Sequence, residues 1–151
     1  MRILLATDGS ACSEVAVDEV ARRPWPDDSQ ARIISVIDLP TPLTSEPWIN
    51  PETYLKEVEA AERSQAGKSL ERASAKLREG KGSRELSITT EVLTGSPKRV
   101  IVEEAEKWGA DLIVVSSHGY RSWERMLLGS VSQTVALHAE CSVEIVRCPK
   151  R

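Results

Sequence analysis

Phenylalanine is absent from this chain, and four tryptophans and two tyrosines are its only aromatic residues. Any core must therefore be filled by Val, Ile, Leu and Ala. Cysteine is nearly as scarce. Cys12, Cys141 and Cys148 form no Cys-x-x-Cys pair and follow no regular spacing. So sparse and odd a set predicts reduced thiols, as in a cytoplasm, rather than a disulfide framework. The chain also lacks the roughly 20 consecutive apolar residues that a membrane-spanning helix requires. It opens on "MRILLATDGS", whose apolar run is too short for a signal-peptide core, so a cytoplasmic location is expected. No basic cluster stands out and the formal net charge is -3, which leaves no electrostatic footprint for nucleic acid. With two histidines, no His-Glu-x-x-His and no acidic cluster in the loops, a protein-built metal site is not expected.

What is present suits one domain spanning residues 1–151. A chain of this size buries roughly 68–70 % of the surface it exposes when unfolded, so it needs no covalent staple. Arg2 to Ala6 is a short apolar run ended by Thr7-Asp8-Gly9-Ser10, and reads as a strand and a turn. Ala11 to Arg23 reads as a helix that stops before Pro24. Ala31 to Ile37 is a second, β-branched strand. Pro40, Pro42, Pro47 and Pro51 then exclude regular structure over 38–51. Asn50-Pro51 has the form of an N-cap and first helical residue. The Ala-, Glu-, Lys-, Arg- and Leu-rich stretch to Glu79 favours helix, with a bend or break open at Gly67. Leu86 to Leu93 alternates as a third strand. A helix follows from Ser96-Pro97 to Gly109, then a strand over Leu112 to Val115. A helix starting near Gly129-Ser130 and a strand ending at Arg147 complete the chain.

Strand and helix alternate throughout, which predicts an α/β fold: a doubly wound, five-stranded, mainly parallel sheet with helices on both faces. Ligands in such sheets bind beyond the carboxyl ends of strands, where the winding reverses. The loops after the first and fourth strands are the richest in small polar residues. An order 3-2-1-4-5 would bring both to one crevice.

The second of these loops carries the most specific pattern. Ser117-His118-Gly119, nine residues from Tyr120 to Leu128, and Gly129-Ser130-Val131-Ser132 resemble the nucleotide loop of the universal stress protein family, Gly-x-x-Gly-x9-Gly-(Ser/Thr). The resemblance extends to "ILLATDGS", "SVIDLP", "GADLIVVSSHG" and "HAECSVEIVR". It implies a Rossmann-like adenine nucleotide-binding fold, ATP as ligand with magnesium arriving alongside it, and a homodimer paired through the last strand. It also implies that Ala6, Thr7 and Asp8 border the adenosine and that the Val36 backbone meets the adenine edge. Ser116, Ser117, His118, Gly119, Tyr120, Arg121, Ser122, Gly129, Ser130, Val131 and Ser132 would line the phosphates.

The residues fit that role. Glycine lets backbone approach a phosphate closely, and free amides at a helix start favour an anion. The hydroxyls of Ser130 and Ser132 are candidate donors. One departure stands out: Ser116 occupies the position of the first family glycine, where its hydroxymethyl either crowds the ligand or adds a donor. Arg121 and Arg125 either pair with phosphate, lie in solvent or form a salt bridge with Glu124. Trp123 and Met126 shield the site, serve an interface or pack in the core, and Trp48 covers the crevice or lies on the surface. Gly67-Lys68-Ser69 mimics the end of a P-loop, but Glu62 stands where its first glycine is required.

No general base accompanies a nucleophile in these motifs, so a nucleotide-dependent switch or stress-response regulator, acting on an unknown protein partner, is favoured over an efficient enzyme. The alternatives are a slow ATPase or autophosphorylating protein, and a nucleotide-free scaffold disabled at Ser116.

Overall fold

The computed structural model describes residues 1–39, 51–80, 82, 86–118 and 128–148. Among the described residues nine elements alternate as expected: β1 (Arg2–Ala6), α1 (Ala11–Arg22), β2 (Gln30–Ile37), α2 (Pro51–Glu79), β3 (Ser87–Thr94), α3 (Pro97–Trp108), β4 (Leu112–Ser116), α4 (Ser130–His138) and β5 (Ser142–Val146). The five strands form one parallel sheet in the order β3-β2-β1-β4-β5.

Side-chain alternation along the strands decides which helix lies on which face. Ile3 and Leu5 of β1 point to one side, where they meet Val17 and Val20 of α1 and Leu70, Ala73 and Leu77 of α2. Leu4 points to the other side and joins Ile101 and Ala105 of α3 and Val135 of α4. The chain thus lays α1 and α2 over one face as it winds outward to β3. It then crosses to the far side of β1 and lays α3 and α4 over the opposite face. The winding reverses between β1 and β4, which pair through Ile3–Leu112, Leu4–Ile113 and Leu5–Val114.

Two expectations change. The helix α2 runs unbroken through Gly67, which sits with open space around it. The buried residues Ala66, Leu70, Ala73 and Leu77 recur at helical spacing across that position. Packing of this stripe outweighs the cost of about 1 kcal/mol that one interior glycine carries. The second change concerns the thiols. Cys12 and Cys148 are joined in a disulfide with their Cα atoms 4.9 Å apart, and Cys141 is the free cysteine. The expectation of three reduced thiols fails because 136 residues separate the pair in sequence, and only the sheet order brings them together. Among the described residues no helix is long and apolar enough to cross a membrane.

Candidate functional site

Parallel pairing puts the carboxyl ends of β1 and β4 side by side, so the chain leaves both strands at the same end of the sheet. The exit from β1 is tightly built. Gly9 adopts φ 75°, and a Cβ there would fall 2.3 Å from the Ser69 hydroxyl of α2, so both conformation and space require glycine. The Gly9 amide donates to Thr7 Oγ1 (3.2 Å), and the Thr7 hydroxyl donates to Ser13 Oγ (3.0 Å). Asp8 Oδ1 accepts from the Ser10 amide (3.0 Å), while Ser10 caps α1 by accepting from the Ser13 amide (3.2 Å). Thr7 is buried and Asp8 is exposed. Of the residues expected to border an adenosine, Asp8 therefore presents its side chain to solvent, and Thr7 holds the turn.

Val36 lies on β2 beyond the reach of β1, since their ladder ends at Ala6–Ile34. The Ile34 carbonyl accepts from the Thr7 amide (2.9 Å), and alternate residues of a strand aim their backbone groups the same way. The N–H and C=O of Val36 thus face the crevice past the end of β1.

The exit from β4 is organised around Ser117, which is 2 % exposed. Its amide donates to the Val146 carbonyl (2.8 Å), extending the β4–β5 ladder. Its carbonyl accepts from the Gly129 amide (2.6 Å) and the Ser132 hydroxyl (3.2 Å). Its hydroxyl lies 3.0 Å from His118 Nδ1 and accepts from the Cys148 amide (3.2 Å). A Cβ on Gly129 would fall 2.9 Å from the Ser117 carbonyl oxygen, so glycine permits this close approach. Ser116 donates its hydroxyl to the His118 carbonyl (2.8 Å). Its hydroxyl holds the turn.

These bonds correct part of the expected phosphate contacts. The Gly129 amide and the Ser132 hydroxyl are committed inside the protein, and Ser132 also donates to the Gly129 carbonyl (2.9 Å). Both fasten α4 to β4. The start of α4 is nevertheless open. Gly129 is its N-cap, no side chain among the described residues caps it, and its first turn has no acidic residue. Its first intrahelical bond is Gln133 N–H to the Gly129 carbonyl (3.0 Å). The amides of Ser130, Val131 and Ser132 are those that helix geometry leaves over, and Ser130 is exposed beside them. An anion is the natural partner of such a start. Gly119, Tyr120, Arg121 and Ser122 lie outside the described residues, as do Trp48, Trp123, Arg125 and Met126.

Sequence reasoning missed the anchoring role of Ser117 and the disulfide beside it. The signal for the second was faint: Cys12 follows the loop after β1, and Cys148 follows the strand next to β4. A separate groove of about 490 Å³, lined by Glu71, Ser74, Arg78 and Thr90, lies on the α2–β3 flank and shares no residue with the crevice. Among the described residues no group of three His, Cys, Asp or Glu side chains is placed to hold a metal.

Comparison with known proteins places the chain in a family by sequence and finds its fold in solved structures. Residues 1–147 match the model of the universal stress protein family. A universal stress protein of Methanocaldococcus jannaschii is 35% identical over 150 residues, covering 99% of this chain and 84% of that protein. The universal stress protein UspA of Lactobacillus plantarum superposes with a TM-score of 0.80 at 24% identity, over 97% of each chain. The same fold occurs in a universal stress protein solved in complex with cAMP, with a TM-score of 0.65 at 24% identity over 97% and 96% of the two chains. An Arabidopsis thaliana family member solved with AMP bound has a TM-score of 0.64 at 19% identity, over 99% and 92%.

Proposed function

The chain belongs to the universal stress protein family, and from that premise we propose that it binds an adenine nucleotide, ATP foremost, between the ends of β1 and β4. The observation that carries this reading is the start of α4, which no side chain among the described residues caps, at the point where the sheet reverses its winding. The amides of Ser130, Val131 and Ser132 and the exposed Ser130 hydroxyl offer donors to phosphate oxygens, each such bond contributing about 1.5–3 kcal/mol. After ordering costs, a few of them suffice for micromolar affinity. The Val36 backbone suits the edge of an adenine, and Asp8 suits a ribose hydroxyl. Two fold relatives carry cAMP and AMP, which supports the ligand class.

The protein acts as a switch in the cytoplasm, as a single domain, and passes its state to a protein partner. Nucleotide binding orders the β4–α4 connection and changes the surface it presents. Magnesium arrives with ATP, held by phosphates and water. The strand β5 is the sheet edge, and Val143 and Ile145 are only half-buried. Pairing of two such edges across a two-fold axis covers them and gives a homodimer.

Calorimetric titration of the purified protein with AMP, ADP and ATP, with and without magnesium, tests the reading. Micromolar binding of at least one is expected. Silence up to millimolar nucleotide contradicts it. Incubation with γ-labelled ATP separates a switch, which retains label on the nucleotide, from an enzyme that releases phosphate or labels its own serines.

A further inference from the structure

Cys12 is the second residue of α1 and Cys148 lies two residues beyond β5. Their disulfide therefore fastens the end of the last strand to the start of the first helix. Both cysteines are half-buried rather than enclosed in the core. The bond also connects directly to the candidate site. The Cys148 amide donates to Ser117 Oγ (3.2 Å), and the Ser117 carbonyl accepts from Gly129, the N-cap of α4 (2.6 Å). One continuous path thus leads from the sulfur atoms to the helix start offered to phosphate.

A 151-residue chain with apolar clusters on both faces of its sheet has no need of a staple to fold. Accessible disulfides are the labile and regulatory class. We propose that Cys12 and Cys148 are a reversible redox modification site that sets the position of Ser117 and, through it, the start of α4. In closing, the two thiols give up two protons and two electrons to hydrogen peroxide. One S–S bond forms, the O–O bond breaks, and two water molecules leave. In opening, two equivalents of a small thiol transfer their hydrogens to the cysteine sulfurs by exchange and depart as their own disulfide. Cys141 stays outside the cycle. Burial, as its leading cause, pushes its thiol pKa up, which keeps it protonated and slow to react. The consequence for ligand affinity rests on the nucleotide reading above; the effect on Ser117 does not.

The test uses the full chain, reduced with dithiothreitol, desalted, and reoxidised with hydrogen peroxide. Maleimide labelling under denaturing conditions should count three thiols before oxidation and one after, with peptide mapping joining Cys12 to Cys148. Hydrogen exchange at the Ser117, Gly129 and Cys148 amides should be slower in the oxidised form. ATP affinity should fall roughly 5- to 20-fold on reduction, the range of ordinary allosteric coupling. Cys141→Ser should respond as the parent does. Cys12→Ser should match the reduced parent and ignore peroxide. Chemical reduction of the parent gives the same comparison should that variant fold poorly. Three thiols surviving oxidation, or a bond involving Cys141, overturns the proposal, as does a closed bond that leaves exchange at all three amides unchanged. If ATP binds in neither state, the nucleotide reading fails while the exchange data still decide this one. If exchange slows and ATP binds equally in both states, the claimed coupling is wrong.

Discussion

Two helices begin at the same end of the sheet, and they begin differently. The start of α1 is closed from within: Ser10 accepts from Ser13, Asp8 accepts from Ser10, the Thr7 and Ser13 hydroxyls meet, and Glu14 supplies an acidic first turn. The start of α4 has a glycine cap, no side-chain acceptor among the described residues and no acid in its first turn. Only its rear is secured, through Ser132 and the Gly129 amide on Ser117. Folding alone accounts for α1. Among the described residues α4 has no such closure, and the proposed anion contact rests on that difference.

The comparison can be broken most severely at Gly129. A Cβ there meets the Ser117 carbonyl oxygen at 2.9 Å, so Gly129→Ala must push α4 away from β4. Overpacking of this kind costs about 1–3 kcal/mol. The expected result is a lower midpoint in a urea melt, together with weaker ATP binding. An unchanged midpoint would show that the contact is slack.

Next in size is the conversion of one helix start into the other. Ser130→Asp gives α4 the acid it lacks. The charge complements the helix dipole, so the melting temperature should hold or rise. The same carboxylate opposes phosphate, and ATP affinity should fall about tenfold, which is roughly 1.4 kcal/mol. Equal affinity in parent and variant would place the phosphates elsewhere.

The converse change, Ser10→Ala, opens α1. Loss of this cap should cost about 1 kcal/mol in thermal or chemical denaturation. ATP affinity should change by less than in Ser130→Asp, because α1 is scaffold in this account. A larger binding defect from Ser10→Ala than from Ser130→Asp would reverse the two roles.

Much of this contrast was legible in the sequence. Strand and helix alternation, Pro97 at a helix start and Gly109 after a helix end set the elements nearly to the residue. The small polar loops after β1 and β4 located the crevice. Gly67 misled in a modest way, because local propensity cannot count the packing of Leu70, Ala73 and Leu77 against the sheet. The division of labour among the serines was not legible. Ser117, Ser130 and Ser132 share one chemistry, and only the tertiary arrangement buries two of them and exposes the third. The Cys12–Cys148 bond was hidden for the same reason: it spans the chain and follows the sheet order rather than any spacing rule.

The smallest expected effect concerns the other end of α1. Burial works against ionisation of Glu19, but hydrogen bonds from Arg23 and then Arg22 outweigh it and hold the carboxyl below its ordinary value of 4.5. A depressed folded pKa stabilises the protein above the unfolded value, and the contribution is lost as pH falls through the lower, folded one. Glu19→Gln should therefore leave a shallower acid limb in a plot of melting temperature against pH. Arg23 also forms a two-point pair with Glu144 of β5, at 2.6 and 2.8 Å, so the helix end should stay attached to the sheet in that variant. An acid limb as steep as the parent's would remove Glu19 from the account.

The most direct test follows backbone amide resonances of the oxidised protein as ATP is added. The account expects the largest shifts at Ser130, Val131 and Ser132, and a much smaller one at Ser13, which the Ser10 side chain caps. Saturating ATP that moves the α1 amides and leaves those three unmoved, or millimolar ATP that moves neither set, would contradict it.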